Sequence, residues 1–221
     1  MDFWKQRAEK MKTGLHPWQA VSLTGSVEEA VARQQRDSYA VRRAIKSLMS
    51  RPTSILDLGC GVGRLTVDLA FHYDEARICG VDRELGFIQE ATKQLDEIRF
   101  VRFVERDALD VVPENWDVVV IAGLLCCLDD FQFNVLVNNL RCCPRIVIKD
   151  SVGTKKRYAF KDRWSDALQT EYTATYRTVE EITDAFLDHE VILSREVEKR
   201  SEETSIHVLA LQRQPTLGEA E

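Results

Sequence analysis

Long apolar runs are missing from this 221-residue chain, and none approaches the roughly 20 residues a bilayer span needs. The amino-terminal Met-Asp-Phe-Trp-Lys-Gln-Arg lacks the apolar segment of a secretory leader, so a cytoplasmic chain with no membrane partner is expected. Basic charge is also scarce. Lys+Arg number 30 against 36 Asp+Glu, a formal net charge of −6. A nucleic-acid partner usually calls for a concentrated basic face, so none is expected. Cys60, Cys79, Cys126, Cys127, Cys142 and Cys143 form no C-x-x-C and no zinc spacing, which predicts reduced, mostly buried thiols and no metal site. A phosphate-cradling G-x-x-x-x-G-K-[ST] run is absent too.

What is present is concentrated between residues 54 and 70. Ser54-Ile55-Leu56 reaches Asp57, three glycines follow at alternate positions (Gly59, Gly61, Gly63), and Leu65-Thr66-Val67-Asp68-Leu69-Ala70 starts a helix. Strand, glycine turn and helix form the entry to a nucleotide-type pocket at the carboxyl edge of a parallel sheet. Glycine suits a turn that needs positive φ and a close approach of backbone to ligand. The spacing is not the dinucleotide G-x-G-x-x-G, because the third glycine comes one residue early and Arg64 stands in its place. Three further strands follow: Ala76–Val81 ending in Asp82-Arg83, Phe100–Ala108 closing on Asp107, and Trp116–Ile121 running into Ala122-Gly123. Asp82 falls about 20 residues beyond the turn, where a carboxylate accepts from ribose hydroxyls. Each acid alone has a plain alternative as a turn former; their recurrence at successive strand ends favours a pocket.

The D-x-G-x-G-x-G run with these strand-end acids resembles the class I S-adenosylmethionine-dependent methyltransferases, of the small-molecule and glycan type, over about residues 40 to 213. The resemblance implies S-adenosylmethionine as cofactor. It assigns to the cofactor Asp57, Gly59, Gly61, Gly63, Arg64, Asp82, Arg83, Asp107, Ala108 and Ala122. Asp107 would accept from the adenine amino group with Ala108 against the ring, and Arg64 would pair with the methionine carboxylate. The implied fold is α/β: a Rossmann-like, doubly wound seven-stranded sheet with an antiparallel final hairpin and an N-terminal helical lid.

The remaining elements suit that layout. Ser26 with Glu29 opens a helix to about Ser50, Phe131–Leu140 is a second, and Thr178 with Glu181 caps a third ending near Asp188. Arg145–Asp150 is the fifth strand, and 190–198 with 206–212 make the closing hairpin. Residues 1–25, with Phe3, Trp4, His16 and Trp18, are assigned to a lid, with a helix packed on the domain edge as the alternative. Residues 26–213 form the methyltransferase domain and 214–221 a polar tail.

The acceptor is expected at the long connection 151–177. Trp18, Lys149, Tyr172, Tyr176 and Arg177 are the substrate-binding candidates, and Asp150 and Arg177 the catalytic ones. No histidine occupies an evident base position, which tilts the expectation toward an oxygen of a small anionic or sugar-like acceptor held by cations. Gly63–Thr66 and Ile146–Asp150 are also similar to protein α-N-terminal methyltransferases, in which the acid matching Asp150 helps deprotonate an amine. N-methylation of an amine or protein N-terminus is therefore the second reading, although the tryptophan that family carries after the fourth strand is absent here. A non-catalytic cofactor-binding partner subunit is the third. No Asn/Asp-Pro-Pro-Tyr follows the fourth strand, against nucleic-acid methylation, and a homo-oligomer is left open.

Overall fold

The computed structural model describes residues 3–22, 26–95, 98–165 and 170–215. Seven strands form one sheet in the order β3-β2-β1-β4-β5-β9-β8: β1 Ser54–Leu58, β2 Arg77–Asp82, β3 Val101–Glu105, β4 Val118–Ala122, β5 Arg145–Gly153, β8 His189–Lys199 and β9 Thr204–Arg213. β1 to β5 pair in parallel, and β9 runs antiparallel between β5 and β8.

Both faces of the central strands are apolar, as parallel strands with helices on each side require. Along β4 the side chains alternate: Val118 and Val120 join Val41 and Ile45 of helix α3 (Val27–Leu48) and Leu69 of α4 (Arg64–His72). Val119 and Ile121 join Phe133 and Leu136 of α6 (Asp130–Leu140) and Ile182 of α7 (Val179–Ala185) on the opposite face. β1 has β2 on one side and β4 on the other, so the winding reverses there. A crevice opens at the carboxyl ends of these strands, where open sheets of this kind bind ligands.

The chain before the sheet forms α1 (Phe3–Lys12) and α2 (Pro17–Ser22). Arg7, buried at 3 %, ties the two together by donating from Nε to Ala20 O (3.2 Å) and from Nη2 to Gln19 O (2.5 Å). Ala8 and Ala20 pack on Val62 of the glycine turn and Phe87 of α5 (Leu85–Thr92). The segment thus covers the crevice, and its packed inner face also satisfies the domain-edge alternative.

Two expectations are corrected. The connection 151–177 contains a separate antiparallel hairpin, β6 Tyr158–Ser165 with β7 Thr170–Tyr176. Its alternation is broken by a register shift between Phe160 and Arg163 and by the charged Lys161-Asp162-Arg163, so it reads as a loop. The third strand stops at Glu105, because the Asp107 side chain accepts from Leu109 N–H (2.9 Å) and caps a short 3-10 turn. Of the capping pairs, Thr178–Glu181 forms the reciprocal box, and Ser26 accepts from Glu29 N–H. Residues 23–25 and most of the polar tail lie outside the described residues.

Candidate active site

After β1 the backbone turns through Gly59, Gly61 and Gly63 at φ of 75°, 55° and 78°. Gly59 and Cys60 donate their N–H groups to Val81 O (2.8 and 2.9 Å), which folds the turn back over the end of β2. Asp82, ending β2, accepts from Gly61 N–H (2.9 Å) through Oδ2 and from Glu84 N–H (2.9 Å) through Oδ1. Each carboxylate oxygen has two acceptor sites, so the acid braces the turn and keeps capacity for hydroxyl donors.

These elements wall a cleft of about 410 Å3. Nine of the ten residues assigned to the cofactor line it: Asp57, Gly59, Gly61, Arg64, Asp82, Arg83, Asp107, Ala108 and Ala122. Gly63 is the exception. A Cβ built there would stand 2.5 Å from Phe103 Cζ and 2.9 Å from Ala91 Cβ, so this glycine serves close packing of helix on sheet and does not border the cavity. Arg64 is enclosed, with Nη1 3.5 Å from Ala30 O and its guanidinium 5.6 Å from the Trp18 ring, and burial lowers its pKa to about 10. It remains a cation facing a cleft rich in acids.

Asp57 is 1 % exposed and accepts from Thr66 Oγ1–H at 2.6 Å. Burial is the main cause of a rise in its pKa to about 6, partly offset by the Thr66 bond and reinforced by nearby Asp82. An aspartate raised in the fold costs stability when ionised: full stability is present below its ordinary pKa and is lost as pH rises through about 6. Asp57→Asn keeps an acceptor for Thr66. It is expected to stabilise the ligand-free protein at pH 7.5 by up to about 3 kcal/mol, with the gain vanishing near pH 4. Calorimetric melting of both proteins across that range checks it, and a gain independent of pH would exclude Asp57 as the source.

A second cavity of about 540 Å3 adjoins the cleft and shares with it Trp4, Arg83, Cys126, Cys127, Ser151 and Arg200. Its other walls include Phe3 of α1 and Asp162, Trp164, Glu171, Tyr172 and Tyr176 of the hairpin. Burial, then the nearby Cys126 and Tyr172, push the Tyr176 hydroxyl up, so it stays a proton donor at neutral pH.

Of the substrate candidates, Tyr172 and Tyr176 face this chamber, and three others do not. Trp18 lines neither cavity; it packs with α1 and α2 and lies beneath Arg64. Lys149 borders the cofactor cleft and pairs with Asp37 of α3 at 2.6 Å. Arg177 is 2 % exposed and donates inside the protein from Nη1 and Nη2, to Leu125 O, Leu128 O and Asp130 Oδ1 (3.1, 3.1 and 2.7 Å), while its buried Nε has no partner among the described residues. Asp150 borders the cleft, but its oxygens accept from Leu125 and Ser151 N–H (2.7 Å each), and burial raises its pKa.

Residues the sequence did not mark are Arg200, in the turn after β8, and the Cys126-Cys127 pair. Position directly after β4 was the available signal for the cysteines, and Arg200 had none. Among the described residues, no group of three or more His, Cys, Asp or Glu is placed to hold a metal, and no helix is long and apolar enough to cross a membrane.

Residues 55–143 match the family described as "Methyltransferase domain". Over 66 residues the chain is 36% identical to a trans-aconitate 2-methyltransferase of Methylobacterium nodulans, covering 30% of this chain and 24% of that protein. Over 80 residues it is 34% identical to a malonyl-[acyl-carrier protein] O-methyltransferase of Hahella chejuensis, covering 36% and 29%. The matched stretches thus span under a third of these relatives' own length. The fold is similar to the magnesium protoporphyrin IX methyltransferase of Synechocystis with bound SAM (TM-score 0.68, 17% identity, 97% of this chain and 98% of that one). It is also similar to an N-methyltransferase of Bradyrhizobium japonicum in complex with S-adenosyl-L-homocysteine (TM-score 0.67, 17% identity, 97% and 100%). Residues 55–143 thus match a methyltransferase domain, and the fold is similar to that of solved methyltransferases. Those two structures hold SAM or S-adenosyl-L-homocysteine, and the cleft fits such a ligand: acids stand at or near the ends of three successive strands and positive-φ glycines bring the backbone to its edge.

Proposed function

We propose that this chain is an S-adenosylmethionine-dependent methyltransferase that acts on an oxygen of a small anionic molecule. The observation that carries the reading is the joined pair of cavities and the way charge is distributed between them. Arg83 and Arg200 border both the cofactor cleft and the chamber, whereas Asp162 and Glu171 border the chamber alone. Arg83 and Arg200, which pair loosely with Glu84 (3.5 Å) and Glu198 (3.7 Å), put the cations a carboxylate or phosphate would use at the junction of the two cavities. A volume of about 540 Å3 suits a small molecule and not a folded protein. The names of the two curated relatives, a trans-aconitate and a malonyl-carrier methyltransferase, agree with an acidic acceptor.

When bound, the cofactor supplies a methyl group already activated by its sulfonium charge, so the chain's task is mainly alignment. Trp4, Tyr172 and Tyr176 wall the acceptor's body, the Tyr176 hydroxyl offers a donor, and the guanidiniums select the charged oxygen. A carboxylate needs no base. Helices α1 and α2, which place Trp4 and Val21 on the cleft, act as the cover that excludes water.

Transfer of labelled methyl to pools of small carboxylates, phosphoesters, sugars, amines and peptides tests the reading; label confined to the amines or peptides would overturn it in favour of N-methylation. With the acceptor in hand, Arg200→Gln is expected to raise its KM about tenfold and to change kcat less. An unchanged KM would remove Arg200 from acceptor binding.

A further inference from the structure

We propose that Asp150 and Arg177 form a clamp on Leu125 that positions the wall between cofactor cleft and acceptor chamber, and that neither residue touches the acceptor. The two side chains grip the same residue from opposite sides. Leu125 N–H donates to Asp150 Oδ2 at 2.7 Å, and Leu125 O accepts from Arg177 Nη1 at 3.1 Å. Each is 2 % exposed. Asp150 spends its other oxygen on Ser151 N–H, so both its oxygens are held by backbone. Arg177 continues through Nη2 to Leu128 O and Asp130 Oδ1, with its guanidinium 4.3 Å from the centre of the Phe133 ring. Asp130 is held in turn by Arg157 Nη1 at 2.8 Å.

Leu125 opens the short 3-10 turn whose next two residues, Cys126 and Cys127, border both cavities. Asp150 lies on β5 and Arg177 directly follows β7. The clamp therefore joins the sheet that carries the cofactor cleft to the hairpin that carries Tyr172 and Tyr176. Methyl transfer depends steeply on the distance and angle between acceptor and methyl group, and a displacement of about 1 Å costs on the order of 100-fold in rate. A wall fixed at both backbone groups of one residue holds that geometry. Two side chains, each 2 % exposed, that hold the N–H and the carbonyl of one residue between them suit this positioning role better than that of acceptor contact. The positional claim stands on the hydrogen bonds; its consequence for rate rests on the methyl-transfer reading.

The two thiols report the wall without any acceptor. Their Sγ atoms lie 3.8 Å apart, each 3.7 Å from Gly123 O, and Cys126 is pushed up by its bond to Cys127, by burial and by Asp150. The full-length protein is treated with iodoacetamide, with and without S-adenosylhomocysteine, and alkylation of each cysteine is followed by peptide mass spectrometry. Arg177→Lys is expected to speed alkylation of Cys126 and Cys127 at least tenfold, leave buried Cys79 and Cys143 unchanged, and keep S-adenosylhomocysteine affinity within about threefold; Asp150→Asn is expected to do the same and is read at Cys127 alone, because the Asp150 charge also holds the Cys126 thiol up. Asp130→Asn, which removes only the exposed end of the network, is expected to give a smaller change in the same direction. It keeps the test open if the buried variants fold poorly. Ile182→Val, a core truncation beyond the clamp, controls for general loosening. Unchanged thiol rates, or equal acceleration in the Ile182 control, would overturn the clamp. So would an Asp150→Asn protein with protected thiols and abolished turnover, which assigns Asp150 to proton removal. Faster thiols together with no methyl transfer to any acceptor would leave the clamp standing and sink the functional reading instead.

Discussion

Gly63→Ala is expected to destabilise the protein by about 2–5 kcal/mol, summing the strain of left-handed backbone for an L residue and overpacking at a tight helix–sheet contact. Gly63 sits at φ 78°, where a Cβ meets Phe103 Cζ at 2.5 Å and Ala91 Cβ at 2.9 Å. The Phe103 ring is partly exposed, whereas the fully buried Ala91 moves only with α5. The two contributions separate experimentally. Gly123 has φ 76° and nothing within 4 Å of an added Cβ, so Gly123→Ala carries the backbone strain alone, about 1–2 kcal/mol. Phe103→Leu in the Gly63→Ala background is expected to recover part of the packing loss. Denaturant unfolding of the four proteins decides it; equal losses at positions 63 and 123 would show that close packing is not what requires glycine at 63.

Loss of the Asp82 carboxylate is expected to have the largest effect on cofactor binding. In Asp82→Ala the Gly61 and Glu84 N–H groups lose their acceptor, and the hydroxyls the acid would receive lose theirs. Charge-assisted bonds of this kind contribute about 1.5–3 kcal/mol, so S-adenosylhomocysteine affinity is expected to fall between tenfold and somewhat over 100-fold. Asp82→Asn retains one carbonyl acceptor and should lie between the two. Titration calorimetry reads both variants. Unchanged affinity in Asp82→Ala would remove this acid from the site, and preferential binding of NAD would overturn the cofactor assignment as a whole.

The cofactor half was legible because its determinants are local. A strand ending in an acid, a turn that only glycine tolerates and a helix start occupy consecutive residues, and parallel pairing then carries the strand ends to one edge. Nine of the ten residues read from that pattern border one cleft, and the tenth, Gly63, serves the same turn from behind. The seven strands of the main sheet were equally legible from apolar runs bounded by turn residues. Helix α5 was not, since its eight residues between β2 and β3 carry little periodic signal beyond Phe87, Ile88 and Ala91.

The surroundings of the acceptor candidates were not legible at particular side chains, each for a reason of geometry. Lys149 borders the cleft, but its charge is met by Asp37, 112 positions earlier in the chain on α3. Trp18 is held by the packing of α2 on α1 and by Arg64. Tyr176 and Arg177 were grouped because they are adjacent, yet in extended backbone adjacent side chains point to opposite faces. Tyr176 facing the chamber sends Arg177 the other way, into the core beside Phe133.

By itself the sequence determined the sheet, the glycine turn and the acids of the cofactor cleft, because those depend on residue type and on spacing within a few tens of residues. Only the tertiary structure decided which cations border both cavities. Arg200 arrives from the turn beyond β8, Arg83 from the end of β2 and Trp4 from the covering helix, elements far apart in sequence. The direction of a long side chain is set by which buried acceptors lie within its reach, and for Arg177 these were the carbonyls of Leu125 and Leu128, about fifty residues earlier in the chain.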